Sequence, residues 1–295
     1  MTFFSNENKT LTFYLKSRYT SATAKAYERE INIFLANYHG ANKAVYKDLV
    51  NYLGILRKRY SNSKTINRIL ASIKAYYEFL SYTEQRKDNP AKNIRLRDKQ
   101  NRDIQLQDLF APEELETLLK REERYNKLEL RNKVLMSLLI YQALYPNELE
   151  ALKINDINLH QGTVKIKATP KTNGRELSLK PTQIMLFYQY LFEIRPKLLN
   201  GNESDYLLIG ERGKPMKAED ITKHIKRVCK NRFKDRNINA QTIRQSVITN
   251  LLKSGNDLRI VQTFAGHKYP STTERYKQTH VEQLKQAIQI HHPIK

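Results

Sequence analysis

The stretch that decides the fold reads QTIRQSVITNLLKSGNDLRIVQTFAGHKYPSTTERY and spans residues 241–276. It begins with a helix in which Gln241 and Arg244 lie three residues apart and therefore share one face. Gly255 is well placed to end that helix, because glycine adopts the left-handed conformation of a C-terminal cap without strain. The apolar spacing before that glycine predicts an amphipathic helix over residues 241–254.

Two further elements follow within the same stretch. A short helix is expected from Asp257 to Phe264, and His267 then lies in the loop that follows it. Ser271 and Glu274 have the spacing of a capping box, which predicts that another helix opens at this point. Tyr276 is expected on the early part of that helix.

The first third of the chain has the pattern of a helical domain. Its apolar residues recur at the spacing of amphipathic helices, and glycine and proline are scarce there. Basic side chains interleave with these helices, and they form either a DNA-facing surface or ordinary solvated helix faces. Three helices are expected, through Tyr27–Tyr38, Val45–Leu56 and Ile66–Leu80, and the interleaved basic residues are Lys58, Arg59, Lys64 and Arg68.

A polar, basic stretch over residues 89–108 separates this region from the rest of the chain. It carries Arg95 and Arg97 and has the composition of an interdomain linker. Its charge serves either to cross a DNA backbone or simply to keep the linker solvated. We therefore expect a helical domain over residues 1–88 and a second domain over residues 109–295.

The second domain mixes helices with a small amount of strand. A helix is expected to run from Val134 through Leu149 on its apolar spacing. The period then changes, because Val164–Ala168 and Leu177–Leu179 alternate apolar and other residues around Asn173-Gly174, a pattern typical of a β-hairpin. Helices resume over residues 181–197 and 218–230. The predicted fold class is therefore mainly α with a small β-hairpin, an α+β arrangement.

Composition restricts the class of protein. Lys and Arg total 52 against 30 Asp and Glu, a net charge of +22 that indicates a polyanionic partner, with nucleic acid the leading candidate. A basic protein that binds no polyanion is the alternative. Cys229 is the only cysteine, which excludes a disulfide within the chain and a cysteine-based metal cluster and fits a reducing cytoplasm. The polar N-terminus and the short apolar runs predict a cytoplasmic protein without a membrane segment.

The 241–276 stretch resembles the second half of the active site of the tyrosine recombinases, the phage integrase family, and His291-His292-Pro293 resembles the tail of their Xer-like members. That family has an approximate His-x-x-Arg, a Leu-Gly-His and a Thr-Thr-x-x-Tyr segment in this order. Arg244 matches the second arginine of the family, and His267 matches the histidine of the Gly-His pair. Tyr276, nine residues later, matches the nucleophile. The resemblance implies an N-terminal SAM-like core-binding domain and a C-terminal catalytic domain.

The resemblance also implies a general-acid lysine on the β-hairpin. Lys171 stands at the matching position, just before Thr-Asn-Gly-Arg175. The alternative is a solvent-exposed turn lysine, and Lys165, Lys167 and Lys180 are rivals close in sequence.

Two positions depart from the family pattern. The first arginine of the family lies in a Thr-Gly-Leu-Arg-x-x-Glu-Leu box, and the register of Glu148 places Tyr145 where that arginine is expected. Gln241 stands at the first histidine position, where its amide can still donate to a phosphate oxygen. Arg175 and Arg236 are candidates to supply the missing guanidinium.

The implied reaction is transesterification at a DNA phosphate. The tyrosine forms a 3′-phosphotyrosyl link and a 5′-hydroxyl leaves, so neither a cofactor nor a metal is expected. Double-stranded DNA is the implied partner, with a homo- or hetero-tetramer, and a helix expected over residues 281–290 docks either on a neighbour or on its own core. The Tyr145 departure leaves a second hypothesis open: a catalytically weak DNA-binding subunit that works with a competent recombinase or as a regulatory protein.

Overall fold

The computed structural model describes residues 10–98, 108–120, 126–230, 233, 236 and 238–277. The chain divides into two compact units, Met1–Arg102 and Asp103–Lys295. Across these described ranges both units are mostly helical, and the strands belong to the second. The predicted class, mainly α with a small sheet, is confirmed. The helix expected over residues 281–290 and residues 99–107 of the expected linker lie outside the described residues.

The first unit is a helical bundle with an aromatic core. Phe34 is fully buried between helices, and the Tyr77 hydroxyl donates to the Ala41 carbonyl at 2.7 Å. The three helices predicted from periodicity are confirmed, and a further helix precedes them, capped by the Thr10 hydroxyl that accepts from the Phe13 N–H at 3.3 Å. The described helices are α1 Leu11–Arg18, α2 Ser21–Asn37, α3 Tyr46–Arg59 and α4 Ser63–Tyr82.

The beginning of the stretch expected to link the two parts is folded onto the first unit. Ala91 and Ile94 are buried in the core of this bundle, at 0% and 5% exposure. The Lys74 ammonium donates to the Ile94 carbonyl at 2.7 Å, and Arg57 pairs with Asp98 at 2.9 Å. Residues up to 98 therefore belong structurally to the helical unit.

The second unit packs helices around a small antiparallel sheet, with strands in the order β1-β2-β3. Its core is formed by apolar residues from most of its helices and from both hairpin strands. Its described elements are α5 Pro112–Leu119, α6 Asn126–Tyr141, α7 Pro146–Ala151, β1 Ile157–Asn158, β2 Thr163–Ile166, β3 Arg175–Ser178, α8 Pro181–Gln189, α9 Arg195–Leu199, α10 Ala218–Lys230, α11 Ala240–Lys253 and α12 Leu258–Ala265. A π-helical segment, Tyr190–Ile194, joins α8 to α9 and precedes Pro196, whose missing N–H disturbs the regular ladder.

The single helix predicted from Val134 through Leu149 is wrong. α6 ends at Tyr141, Ala143 adopts a left-handed conformation with φ 51°, and a new helix, α7, starts at Pro146. The physical reason is Pro146, because a proline restricts the residue before it to extended backbone and has no N–H to continue a helix. The break brings the Ala143 carbonyl and the Tyr145 ring into contact with Arg244.

The predicted hairpin is confirmed, but its loop is longer than the Asn173-Gly174 signal indicates. β2 and β3 pair antiparallel with Lys165 opposite Glu176. Eight residues, 167–174, connect them, and their tip bonds to a different part of the chain. β1, which pairs with β2, was not predicted because two residues are too few to show a period.

The last elements carry the stretch that decides the fold. α11 and α12 are confirmed, with Gly255 and Gly266 in the left-handed conformation after them, at φ 82° and 68°. A further helix covers residues 270–277. It begins at Pro270, so the capping box predicted at Ser271 is wrong, since proline is favoured at a first helical position. No helix within the described ranges is long and apolar enough to cross a membrane.

Candidate active site

Arg244 occupies the centre of the site. It lies on α11 and is fully buried, with 0% exposure. Its two terminal nitrogens donate to the carbonyls of Ala143 and Ala265, which come from the break after α6 and from the end of α12. Burial lowers the pKa of the guanidinium, which nevertheless stays charged at neutral pH. Three separate elements therefore fix one cation.

Tyr145 lies directly against this arginine. The Arg244 Cζ atom is over the Tyr145 ring, 3.9 Å from its centroid. The Tyr145 N–H donates to a Glu148 carboxylate oxygen at 2.9 Å, which fixes the start of α7. The residue at the predicted first-arginine position thus contacts the second arginine through its aromatic ring.

His267 follows α12 and is 4% exposed. Its Nδ1 lies 2.8 Å from the Thr273 hydroxyl, and its buried Nε2 has no hydrogen-bond partner among the described residues. Burial, followed by the positive charges of Arg244 and Arg175, lowers the pKa of the imidazole to about 4. The ring is therefore neutral at physiological pH and can donate or accept one proton at Nε2.

Tyr276, on the helix over residues 270–277, lies beside this histidine. The two rings are stacked with centroids 6.0 Å apart and an angle of 15° between their planes. Tyr276 is 5% exposed and packs in a small apolar cluster with residues of α11 and α12, including Ile248 and Val261. Burial raises the pKa of its hydroxyl to about 12, although the charge of Arg244 opposes that shift. Arg244, His267 and Tyr276, which the sequence assigned to one site, are therefore brought together.

A buried ion pair between Arg175 and Glu148 stabilises the site. Arg175 on β3 donates from both terminal nitrogens to the two carboxylate oxygens of Glu148, at 2.8 and 3.0 Å, and both side chains are 2% exposed. The Thr172 hydroxyl also donates to Glu148, at 3.1 Å. Burial is the largest effect and raises the pKa of Glu148, but the bonds and charge of Arg175, the Tyr145 N–H and the charge of Arg244 together outweigh it, so the pKa is lowered. One carboxylate therefore ties α7, the hairpin and Tyr145 together.

The hairpin loop is docked onto the loop that carries the histidine. The Asn173 N–H donates to the Gly266 carbonyl at 2.9 Å, and Thr172 forms an isolated β-bridge with His267. Lys171 immediately precedes these residues, and its side chain is exposed. The docking places the Lys171 backbone next to the site.

The other sequence candidates differ in position. Gln241, in the first turn of α11, is exposed, although Arg244 on the same helix is buried. Arg236 donates to Glu114 at 3.0 Å, so this candidate for the missing guanidinium pairs outside the cluster. Arg175 lies inside the cluster, but its two terminal nitrogens are bound to Glu148.

The basic residues proposed for DNA contact in the first unit are exposed. Arg68 pairs with the buried Glu30 at 2.9 Å, and Arg59 lies over the Tyr60 ring at 5.5 Å from its centroid. The exposed basic side chains of this set are Lys58, Arg59, Lys64, Arg68, Arg95 and Arg97.

Glu148, Thr172 and Thr273 hold the catalytic candidates in place, and none of them was predicted from the sequence to do so. The first of these had a signal, because an acidic residue three positions after an N-cap next to a proline indicates a capping box. Thr172 contacts Glu148, which lies 24 positions away in the sequence. Thr273 contacts His267 only because the imidazole ring is turned toward it. No local sequence pattern reveals either contact. Within the described ranges, no group of three or more His, Cys, Asp or Glu side chains could hold a metal ion.

Comparison with known proteins shows which family the chain resembles. Residues 109–283 match the model of the phage integrase family, and residues 11–84 match that of the phage integrase N-terminal SAM-like domain. The tyrosine recombinase XerD of Listeria monocytogenes serotype 4b (strain F2365) is 29% identical over 283 residues, covering 93% of each chain. The tyrosine recombinase XerC of Staphylococcus saprophyticus is 28% identical, covering 95% of this chain and 94% of the relative.

Solved structures share the fold. The XerH site-specific recombinase bound to a palindromic difH substrate, in a post-cleavage complex, aligns with a TM-score of 0.68 at 20% identity and covers 95% of this chain and 93% of its own. The Tn1549 transposon integrase in complex with transposon right end DNA aligns with a TM-score of 0.65 at 16% identity, covering 94% and 99%. The family model matches residues 109–283, more than half of the chain, and the chain therefore belongs to the phage integrase family.

Proposed function

We propose that this chain is a site-specific DNA recombinase that cleaves one strand through a covalent link to Tyr276. The observation that carries the proposal is the buried cluster in which Arg244, His267 and Tyr276 meet, with ring stacking between the last two. Two buried nitrogens of that cluster, Arg244 Nε and His267 Nε2, have no hydrogen-bond partner among the described residues. Buried N–H groups without a partner are costly, and oxygens of a phosphate would satisfy them.

The reaction balances without an external energy source. The Tyr276 oxygen attacks phosphorus, a 3′-phosphotyrosyl ester forms, and the bond to the 5′-oxygen breaks. Negative charge grows on the non-bridging oxygens, and Arg244 and a His267 Nε2–H stabilise it there. The phenol gives its proton to solvent water as it attacks, while Lys171 gives a proton to the departing 5′-oxygen and regains one from solvent, so the number of protons is unchanged.

The buried state of the cluster sets a condition on this chemistry. Arg244 and Tyr276 are 0% and 5% exposed, so DNA must open the site before a phosphate reaches them. The high pKa of Tyr276, about 12, belongs to this closed state, and opening the site to water and a phosphate would change it. Catalysis therefore depends on whether Arg244 keeps its position when the site opens.

Double-stranded DNA, a tetrameric assembly and a cytoplasmic location complete the proposal. The net charge of +22 and the exposed basic side chains of the first unit support DNA binding. Replacing Lys58 or Lys64 by alanine should lower the slope of log affinity against log salt by about one each. Unchanged slopes in both variants would remove this surface from the DNA interface.

A suicide substrate tests the cleavage step. A duplex site, identified by footprinting DNA that flanks the gene, is nicked beside the scissile phosphate so that the cleaved fragment diffuses away. The wild-type protein should form a covalent adduct, Tyr276→Phe should form none, and Tyr269→Phe, at an exposed tyrosine seven residues earlier, should behave as wild type. Binding to the site without any adduct would contradict the proposal and would indicate a DNA-binding subunit without cleavage activity.

A further inference from the structure

The contact between Tyr145 and Arg244 is unusual because it joins two positions at which the family pattern leads one to expect two arginines. Here the Tyr145 ring lies under the Arg244 Cζ atom at 3.9 Å. A desolvated contact of this kind is a substantial attraction, because the electron-rich ring face faces a cation that water does not reach. Arg244 is fully buried, so this condition is met.

We propose that Tyr145 is a positioning residue: its ring holds the Arg244 guanidinium beside His267 and Tyr276, so that one arginine binds the scissile phosphate. The inference rests on the proposed function. Tyr145 orients Arg244 and does not itself contact the phosphate.

The contact is compatible with phosphate binding. The ring is over Cζ, which carries no N–H, whereas the hydrogen-bond donors of a guanidinium are on its nitrogens. The terminal nitrogens each use one N–H on a backbone carbonyl, and Nε has no partner among the described residues. Tyr145 therefore restricts the guanidinium without occupying all the donors that an oxyanion needs.

The tyrosine is itself held rigidly. Pro146 restricts the Tyr145 backbone, which is extended at φ −79° and ψ 152°. The Tyr145 N–H donates to Glu148, and Glu148 is fixed by its two bonds to the buried Arg175. A ring attached to so constrained a backbone can orient a neighbour, because little freedom remains to be lost when the contact forms.

Tyr145 also lies close to the nucleophile. Burial raises the pKa of Tyr276, Arg244 lowers it and Tyr145 raises it, so the two tyrosines interact electrostatically within one cluster. Tyr145, Arg244 and Tyr276 thus form one group. A shift of the Tyr145 ring would change the distance between the Arg244 guanidinium and the reacting oxygen.

The test compares variants of Tyr145 on the nicked substrate. Tyr145→Leu should lower the rate of adduct formation about 30-fold, which corresponds to about 2 kcal/mol for a desolvated cation–π contact. Tyr145→Phe keeps the ring and should restore the rate to within about threefold of wild type. Tyr206→Leu is the matched control, since this half-exposed tyrosine also lies under a cation, Lys153 Nζ at 5.8 Å, outside the site.

A second measurement does not depend on activity. In the DNA-free protein, the Nε–H signal of Arg244 in ¹⁵N-edited NMR should be displaced upfield by the Tyr145 ring, retained in Tyr145→Phe and lost in Tyr145→Leu. An unshifted wild-type signal, or an unchanged or increased adduct rate in Tyr145→Leu, overturns the inference, and the increase would mean that the ring blocks the arginine. If the wild-type protein forms no adduct on DNA that it binds, the proposed function fails, and the reaction role of Tyr145 fails with it even where the NMR shift is present.

Discussion

Two glutamates of this chain have the same two roles, a helix cap and an arginine pair, and differ in burial, so they allow a sharp test of what holds the site together. Glu148 and Glu114 each cap a helix, accepting the N–H of Tyr145 and of Ala111 at 2.9 Å. Each also pairs with an arginine through contacts of 2.8–3.0 Å. The Glu148 side chain is 2% exposed and the Glu114 side chain is 32% exposed.

We expect Glu148→Gln to destabilise the second unit by about 3–5 kcal/mol, because it leaves the buried Arg175 charge without a counter-charge. Glu114→Gln should cost no more than about 1 kcal/mol, because water solvates the arginine that remains. The substitution is the same, and the amide retains an acceptor oxygen for the cap in both variants and for Thr172 in Glu148→Gln, so the expected difference arises mainly from burial.

Hydrogen exchange followed by mass spectrometry across a denaturant series is the appropriate assay. It reports the opening free energy of peptides from the second unit separately from the first, which a single global signal of a two-unit chain does not. Equal destabilisation by the two substitutions, or a loss below about 1 kcal/mol for Glu148→Gln, would refute the view that the buried pair organises the site.

Three further predictions follow from the same geometry. Lys171→Met should slow adduct formation by about 10²–10⁴, whereas Lys167→Met should react at the wild-type rate. A substrate with a 5′-bridging sulfur should restore the rate of Lys171→Met, because a thiolate leaves without a proton. A defect that sulfur does not rescue would exclude Lys171 as the general acid. The pKa of His267, about 4 in the folded protein and below its ordinary value of 6.5, means that the unfolded chain takes up a proton first. Denaturation measured against pH should therefore show stability falling between about pH 6.5 and 4, a slope that His267→Asn reduces; an identical slope in that variant would contradict the burial of a neutral imidazole. Gly266→Ala should lower the melting temperature more than Gly255→Ala. Both glycines have positive φ, but only at Gly266 would a Cβ meet the Arg175 guanidinium, at 2.6 Å. Equal losses would show that this close approach does not affect stability.

The sequence could predict those parts of the fold that local patterns encode. The helices through Ile31, Leu53 and Ile73 show long apolar periods, and Gly266 marks the end of α12 through its conformational freedom. The order of Arg244, His267 and Tyr276 is equally local, because the three lie within thirty-three positions on consecutive elements.

The remaining features depend on contacts between distant parts of the chain. The break at Ala143–Pro146 lies within a continuous apolar run, and Pro146 is the residue in that run that indicates it. The Arg175–Glu148 pair joins residues 27 positions apart, and the docking of Asn173 on Gly266 joins residues further apart still. No periodicity encodes such pairs, so the sequence located Tyr145 but not its stacking on Arg244.

The identity of the residue that becomes linked to DNA tests the central claim most directly. The adduct trapped on a nicked site is digested with protease and nuclease, and the remaining peptide–nucleotide is sequenced by tandem mass spectrometry. The account predicts a 3′-phosphoryl nucleotide attached to Tyr276 and to no other residue. A nucleotide attached to Tyr145 or Tyr269, or an adduct that persists after Tyr276→Phe, would contradict it.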